Sequence, residues 1–178
     1  KDILGYLRVL YNSDDDINLM RIINKPKRGI GAGTLGKLQD YANYYNISLY
    51  QAGLKAEKIE NLTGAYEKRV KNFFSMMEDL KNQIDEVALS ELARQVFIKS
   101  GYKKILEDGK LKKSEERLEN VKELFSVIED YLRKNEEATL GGFLEEVSLL
   151  SDIDNMEDEN HLVTLMTLHS AKGLEFPI

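Results

Sequence analysis

Two segments of this chain concentrate residues whose types and spacing could do chemistry. The first runs Lys25-Pro26-Lys27-Arg28-Gly29-Ile30-Gly31-Ala32-Gly33-Thr34-Leu35-Gly36-Lys37. Gly31, Gly33 and Gly36 satisfy G-x-G-x-x-G, the dinucleotide-binding turn, while Gly31, Gly36 and Lys37 satisfy most of G-x-x-x-x-G-K-[ST], the phosphate loop. Both patterns need a buried strand leading into the glycines, so that the following helix aims its N-terminus at phosphate. Here the lead-in is Asn24-Lys25-Pro26-Lys27-Arg28, which does not suit a central strand. The residue after Lys37 is Leu38, so the hydroxyl that would hold magnesium is absent. Both nucleotide readings are therefore weak.

A third reading fits the same residues better. A short helix, a Gly-hydrophobic-Gly hairpin and a second helix with Thr34 near its start make a helix-hairpin-helix. Gly29 and Gly31 would permit a tight turn and let backbone N–H groups approach a DNA phosphate, with Ile30 anchoring the hairpin to the core. No acid occurs between Ile17 and Gln39, whereas Arg21, Lys25, Lys27, Arg28 and Lys37 are basic. The formal net charge is −6, so the concentration is local and the protein as a whole is not built to coat DNA. The alternative is a plain helix–turn–helix connection with solvated charges, and the charge and hairpin logic favours binding over it.

The second segment is Leu162 to Pro177. The β-branched, apolar run up to Leu168 reads as a buried strand, and the polar groups presented there and in the loop beyond are Thr167, His169, Lys172, Gly173 and Glu175. Polar groups just beyond a strand are where α/β proteins place ligand contacts. Alone, His169 reads as readily as a packed, hydrogen-bonded loop histidine. One strand cannot make a sheet, so its partners are expected outside this sequence.

Around these segments the chain reads as helices. Asp2 to Tyr11 carries the stripe Ile3, Leu4, Leu7 and Leu10, and the acids at Asp14, Asp15 and Asp16 suit the start of a helix over 17–23. Thr34 can cap a helix to about Tyr45. A polar connector follows, then a long helix from Ala65 to Ile84 with Val70, Phe73, Phe74, Met77 and Leu80 at helical spacing. Phe73, Phe74 and Met77 could form a docking stripe for a partner, but their spacing favours core; the same holds for Phe125 and Ile128. Ser90 can cap a helix bearing Leu92, Val96 and Phe97, which breaks at Ser100-Gly101. Helices over 114–134 and 140–150 complete the set, the last after Thr139, and residues 152–159 read as an acidic connector.

The 178 residues suffice for a core without disulfides, and with no cysteine there is no thiolate site. His161 and His169 lack metal-ligand neighbours, so zinc is not expected. No apolar run approaches the roughly eighteen residues of a membrane span, and no signal-peptide pattern opens the chain. The expectation is a cytoplasmic protein with no membrane partner. The start at Lys1 and the stop at Ile178, just after a strand-like run, read as ends cut from something longer.

Together the segments resemble the UvrD/PcrA/Rep family of superfamily 1, ATP-dependent 3′-to-5′ DNA helicases. Asp2-Ile3-Leu4-Gly5-Tyr6-Leu7-Arg8 with Asn12 to Asp16 looks like the opening of that family's second half. Arg21-Ile22-Ile23-Asn24-Lys25-Pro26-Lys27-Arg28-Gly29-Ile30-Gly31 is similar to its R-x-x-N-x-P-x-R-G-I-G segment, and residues 164–177 look like its motif V. The resemblance spans the whole chain, most specifically at motif V. It implies residues 1–16 at the end of the first part of motor subdomain 2A, 17–161 as helical subdomain 2B, and 162–178 returning to 2A. The fold expected is then mostly α: a multi-helix orthogonal bundle with a helix-hairpin-helix, plus one strand of an incomplete RecA-like α/β subdomain.

For the site, the resemblance implies contacts with duplex or junction DNA, without sequence preference, by Gly29, Ile30, Gly31 and Thr34. Arg28 and Lys37 join them on the charge argument. It places Thr167 and His169 along the single strand and Glu175 at the nucleotide ribose, with Lys172 and Gly173 shaping the loop between. ATP and Mg²⁺ belong to the intact helicase, whose phosphate loop, magnesium ligands and arginine fingers are not in this sequence, so no residue here is catalytic and the chain alone is expected to be inactive. The partners implied are DNA, subdomains 1A, 1B and 2A, and repair or replication proteins, in a nucleoid-associated setting. The competing reading is a regulatory or protein-interaction module of the same helicase.

Overall fold

The computed structural model describes residues 1–109 and 113–157. Helix α1 spans Asp2–Tyr11 and α2 spans Asp16–Ile22, with the Asp15 carboxylate accepting from the Asn18 amide at 3.0 Å to cap it. Helix α3, Ala32–Tyr45, ends at Asn46 in the left-handed region (φ 49°), a common way for a helix to stop. Helices α4 (Leu49–Leu54), α5 (Ala65–Lys81), α6 (Leu89–Lys99), α7 (Tyr102–Glu107), α8 (Ser114–Lys134) and α9 (Leu140–Glu157) follow. A 3-10 turn at Ala56–Lys58 lies between α4 and α5. No strand occurs among the described residues, and the protein is mostly α.

The chain divides into two units, residues 1–144 and 145–178. In the first, α1 supplies a central rod: Tyr6, Leu7 and Val9 are wholly buried, and α2, α5 and α6 all pack on it. Helix α5 turns Val70, Phe73, Phe74, Met77 and Leu80 into the same core, so the stripe weighed as a docking surface is interior. Burying each such side chain contributes roughly 1.5–3 kcal/mol relative to exposure. The edge-on ring pair Tyr50–Phe74, at 5.2 Å, ties α4 to α5, and Phe73 meets Phe74 edge-on at 5.1 Å within α5. Helix α8 packs on α6 and α7, burying Ile128 completely, while Phe125 is half-buried against Phe97 at 6.1 Å. The second unit is described only as the remainder of α9, from Glu145.

Several expectations need correction. The polar connector after α3 holds α4 and the 3-10 turn, too short for helical periodicity to register but capped by the Ser48 hydroxyl, which accepts from the Gln51 amide. The Asp16 carboxylate then fixes α4 in place by accepting from the Leu49 amide at 3.1 Å. Helix α6 starts at Leu89 behind Ala88, without a side-chain cap, so Ser90 does not cap it. Helix α9 runs through the first part of the expected acidic connector, to Glu157. Its beginning is as expected, with the Thr139 hydroxyl accepting from the Gly142 amide at 3.1 Å. Helix α1 shares one core with α2, α5 and α6. The strand expected over 162–168 lies outside the described residues.

Candidate nucleic-acid interface

The nine residues joining α2 to α3 are folded by side chains from both directions. The Asn24 carboxamide oxygen accepts from the Arg28 amide at 2.8 Å and from the Ile30 amide at 3.3 Å, closing the segment on itself. The Tyr6 hydroxyl donates to the Lys25 carbonyl at 2.7 Å, tying the segment to α1. Burial pushes the Tyr6 hydroxyl pKa up to about 12, so it stays a donor. Gly29 turns the chain with φ +75°, a left-handed conformation that favours glycine. Ile30 is 2% exposed and pins the far side to the core.

Gly31 then begins α3. Its backbone is extended (φ −88°), no side chain caps the helix, and the first helical return is the Leu35 amide to the Gly31 carbonyl at 3.0 Å. The amides of this first turn have no partner within the helix, the ordinary state of a helix start. A side chain added at Gly31, Gly33 or Gly36 would meet nothing within 4 Å. Glycine at these positions therefore leaves α3's first turns open to approach from outside, and no internal packing demands it.

A cleft of about 510 Å³ lies over this helix start, lined by Asn24, Gly29, Gly31, Gly33, Thr34, Lys37, Leu62 and Tyr66. The structure thus gathers Gly29, Gly31, Thr34 and Lys37 around one concavity, with Ile30 beneath. Thr34 is buried and lies inside the helix; it does not cap α3, whose first turn begins three residues earlier than expected. Lys37 is exposed and donates to the Asn61 carbonyl.

Arg28 departs from the expectation. Its guanidinium is turned into the protein, donating to the carbonyls of Ile22, Ile23, Pro26 and Ser100 and to the Tyr6 hydroxyl. A planar guanidinium with five donors suits converging carbonyls as well as it suits phosphate, and here the carbonyls have it. Nor is the acid-free run of residues 17–39 acid-free in space. Asp2 stands 3.2 Å from Arg21 and 4.0 Å from Lys25.

Residues missed by sequence reading complete the rim. Arg69 on α5 donates to the Gly29 carbonyl at 3.4 Å and stacks over Tyr66 at 5.3 Å, bringing a cation and an aromatic to the cleft from forty residues away. Nothing in their local sequence marks them. Asn24 could have been found, since an asparagine ahead of a proline-containing loop is a standard turn former. Thr167, His169, Lys172, Gly173 and Glu175 lie outside the described residues. Among the described residues, no group of three or more His, Asp or Glu is placed to hold a metal, and no helix is long and apolar enough to cross a membrane.

The glycine pattern follows a helix and an irregular segment, without the strand that a nucleotide-binding turn requires, and Leu38 is wholly buried. What the arrangement offers is a helix start with open amides, glycines that let a ligand come close, and exposed Lys27, Lys37 and Arg69 nearby.

Comparison with known proteins agrees with this class of structure. Residues 1–178 match the UvrD-like helicase C-terminal domain, and the chain belongs to that family. It is 44% identical over 180 aligned residues to the ATP-dependent DNA helicase PcrA of Staphylococcus aureus strain Mu50, covering all of this chain and 24% of that protein. The PcrA of Staphylococcus epidermidis strain ATCC 12228 is similar to the same extent, 44% over all of this chain and 24% of its own length. The chain thus spans about a quarter of the relatives it matches.

Proposed function

We propose that this chain is the duplex-contacting helical part of an ATP-dependent 3′-to-5′ DNA helicase. In this reading α2, the segment 23–31 and α3 form a helix-hairpin-helix that holds a DNA phosphate at the start of α3. The observation that carries it is Gly31: exposed, uncapped, and with open space where a side chain would stand, beside a cleft ringed by Lys37, Tyr66 and Gly29. Backbone amides and lysines read no base sequence, so the grip serves any duplex or junction.

The remaining assignments rest on the resemblance to the family. Residues 17–161 correspond to subdomain 2B and 1–16 with 162–178 to parts of 2A. ATP and Mg²⁺ are bound by motor residues beyond this sequence, with Glu175 and Gly173 reaching toward the nucleotide and Thr167 and His169 toward the single strand. ATP-driven closure of the motor would reach the single strand through residues 164–177 while the helical part holds the duplex. Subdomains 1A and 1B, and repair or replication proteins, are the macromolecular partners besides DNA.

The test is a titration of the chain against labelled duplex, single-strand and junction DNA at two salt concentrations, with Gly31→Asp alongside. Aspartate is a better helix cap than glycine by a few tenths of a kcal/mol, so the variant should be at least as stable. Its carboxylate would repel a phosphate held at the same amides. Expected are a logarithmic salt slope on the order of −3, for three or four neutralised phosphates, and weakened binding in the more stable variant. Binding unaltered by Gly31→Asp, or absent at low salt, overturns the assignment.

A further inference from the structure

We propose that Arg28 is a positioning residue: it locks the Gly29–Gly31 segment against two helix ends and makes no DNA contact itself. The functional half of this inference rests on the duplex-binding reading above; the structural half does not.

The guanidinium sits where two helices finish. Ile22 and Ile23 are the last residue and the C-cap of α2, and their carbonyls accept from Nη1 at 3.3 and 3.4 Å. Ser100 is the C-cap of α6, seventy-two residues on, and its carbonyl accepts from Nη2 at 2.6 Å. The terminal carbonyls of a helix lack intrahelical donors and carry the negative end of its dipole. One cation placed between two such ends satisfies both. Nη1 also reaches the Pro26 carbonyl at 3.0 Å, and Nη2 the Tyr6 hydroxyl at 2.6 Å. The guanidinium carbon lies 5.2 Å from the Phe73 ring centroid and 5.8 Å from that of Tyr6. Carbonyls and ring faces line the guanidinium, and its Nη1 and Nη2 donors are directed at them, so those donors are already taken up within the protein.

The consequence falls on the next three residues. The Arg28 amide is held by Asn24, Gly29 turns immediately after it, and Ile30 enters the core. With its side chain fixed to α1, α2 and α6 and its backbone fixed to Asn24, Arg28 sets where Gly31 and the first amides of α3 stand. A lysine has three donors around one nitrogen and no plane, and cannot span the two helix ends while stacking on Phe73.

The test uses the 178-residue chain with Arg28→Lys, Arg28→Gln and Tyr6→Phe. Each is held at a temperature where its circular dichroism matches the wild type. Amide hydrogen exchange is followed in peptides covering 23–31, α5 and α8, and junction binding is measured across salt. Faster exchange confined to 28–31 is expected in both Arg28 variants, and to a lesser degree in Tyr6→Phe, which removes one acceptor of the guanidinium and the donor to the Lys25 carbonyl but keeps the arginine. Both Arg28 variants should bind about tenfold more weakly at every salt concentration, with slopes parallel to the wild type. A direct phosphate contact behaves otherwise: Arg28→Lys binds like the wild type and Arg28→Gln makes the slope shallower by about 0.9. That result, or unchanged exchange at 28–31, overturns the proposal. If the wild-type chain binds no duplex at low salt, the duplex reading falls and the exchange data alone decide the positioning role.

Discussion

The ring of Phe74 occupies the space that a side chain at Gly53 would need. A Cβ built on Gly53 would stand 1.9 Å from Phe74 Cε2 and 2.1 Å from its Cζ, far inside contact distance. Phe74 cannot swing away freely, because Tyr50 and Phe73 meet it edge-on. Gly53→Ala should therefore lower stability by about 1–3 kcal/mol through overpacking, read as a shift in the urea midpoint. Adding Phe74→Leu should recover part of the loss, because the two sites share one volume. A midpoint unmoved by Gly53→Ala would mean the α4–α5 contact is looser than this.

Gly29 and Gly31 are two residues apart and should respond unequally to the same methyl group. At Gly29 an alanine must hold φ +75°, costing about 1–2 kcal/mol, and must displace the Arg69 guanidinium, whose Nη1 would lie 2.7 Å away. At Gly31 the backbone is extended and the space is open, so alanine should lose only the preference of a helix start for glycine, about 0.5–1 kcal/mol. Thermal denaturation of the two variants checks this pair. Equal losses would show that Gly31 serves the fold, and its value as a mark of ligand approach would go.

How legible this was from sequence depends on the range of each interaction. Helix α5 was plain because five apolar residues repeat at one spacing over 17 residues. Helix α4 was missed because six residues give no period, and what starts it, Ser48, is one hydroxyl among many polar groups. The family could be read because residues 164–177 resemble its motif V and residues 21–31 its R-x-x-N-x-P-x-R-G-I-G segment. Their division of labour could not. Arg28 and Lys27 carry the same charge, and only the arrival of Ser100 and Tyr6 from distant helices separates the half-buried cation from the exposed one. Charge counted along a chain fails for the same reason, since Asp2 returns to Arg21 and Lys25 from α1.

Tyr50 links α4 to α5 by a second route. Its hydroxyl donates to Glu78 Oε1 at 2.7 Å, and Lys81 lies 5.5 Å from its ring centroid. Burial, followed by the Glu78 carboxylate, holds the phenol protonated well above its ordinary range. Tyr50→Phe keeps the ring packing and deletes the hydrogen bond, so a loss of about 1 kcal/mol is expected. Denaturation of the wild type, Tyr50→Phe, Glu78→Gln and the double variant measures it. If Glu78→Gln costs as much in the Phe background as in the wild type, the two residues do not interact.

Asp2 gives the first unit a term that responds to acid. Burial works to raise its pKa, but the hydrogen bond from the Tyr102 hydroxyl, with Lys25 and Arg21 nearby, carries it below the ordinary 3.8. The folded protein then binds this proton less readily than the unfolded chain does. The resulting stabilisation is complete above about pH 4 and is lost as pH falls through the native pKa. Asp16 has the opposite sign: burial, and then the neighbouring Asp14 and Asp15, raise its pKa despite the hydrogen bond from the Leu49 amide. Ionised Asp16 therefore costs stability that acid restores, and the two terms partly offset each other in the wild-type profile. The difference between the wild type and Asp2→Asn isolates the first term. It should be flat from neutral pH to about pH 5 and should shrink steadily below about pH 4. Urea midpoints across that range measure it. A difference that stays constant into acid would show that Asp2 holds α1 to α7 through hydrogen-bond geometry alone, with its charge contributing nothing.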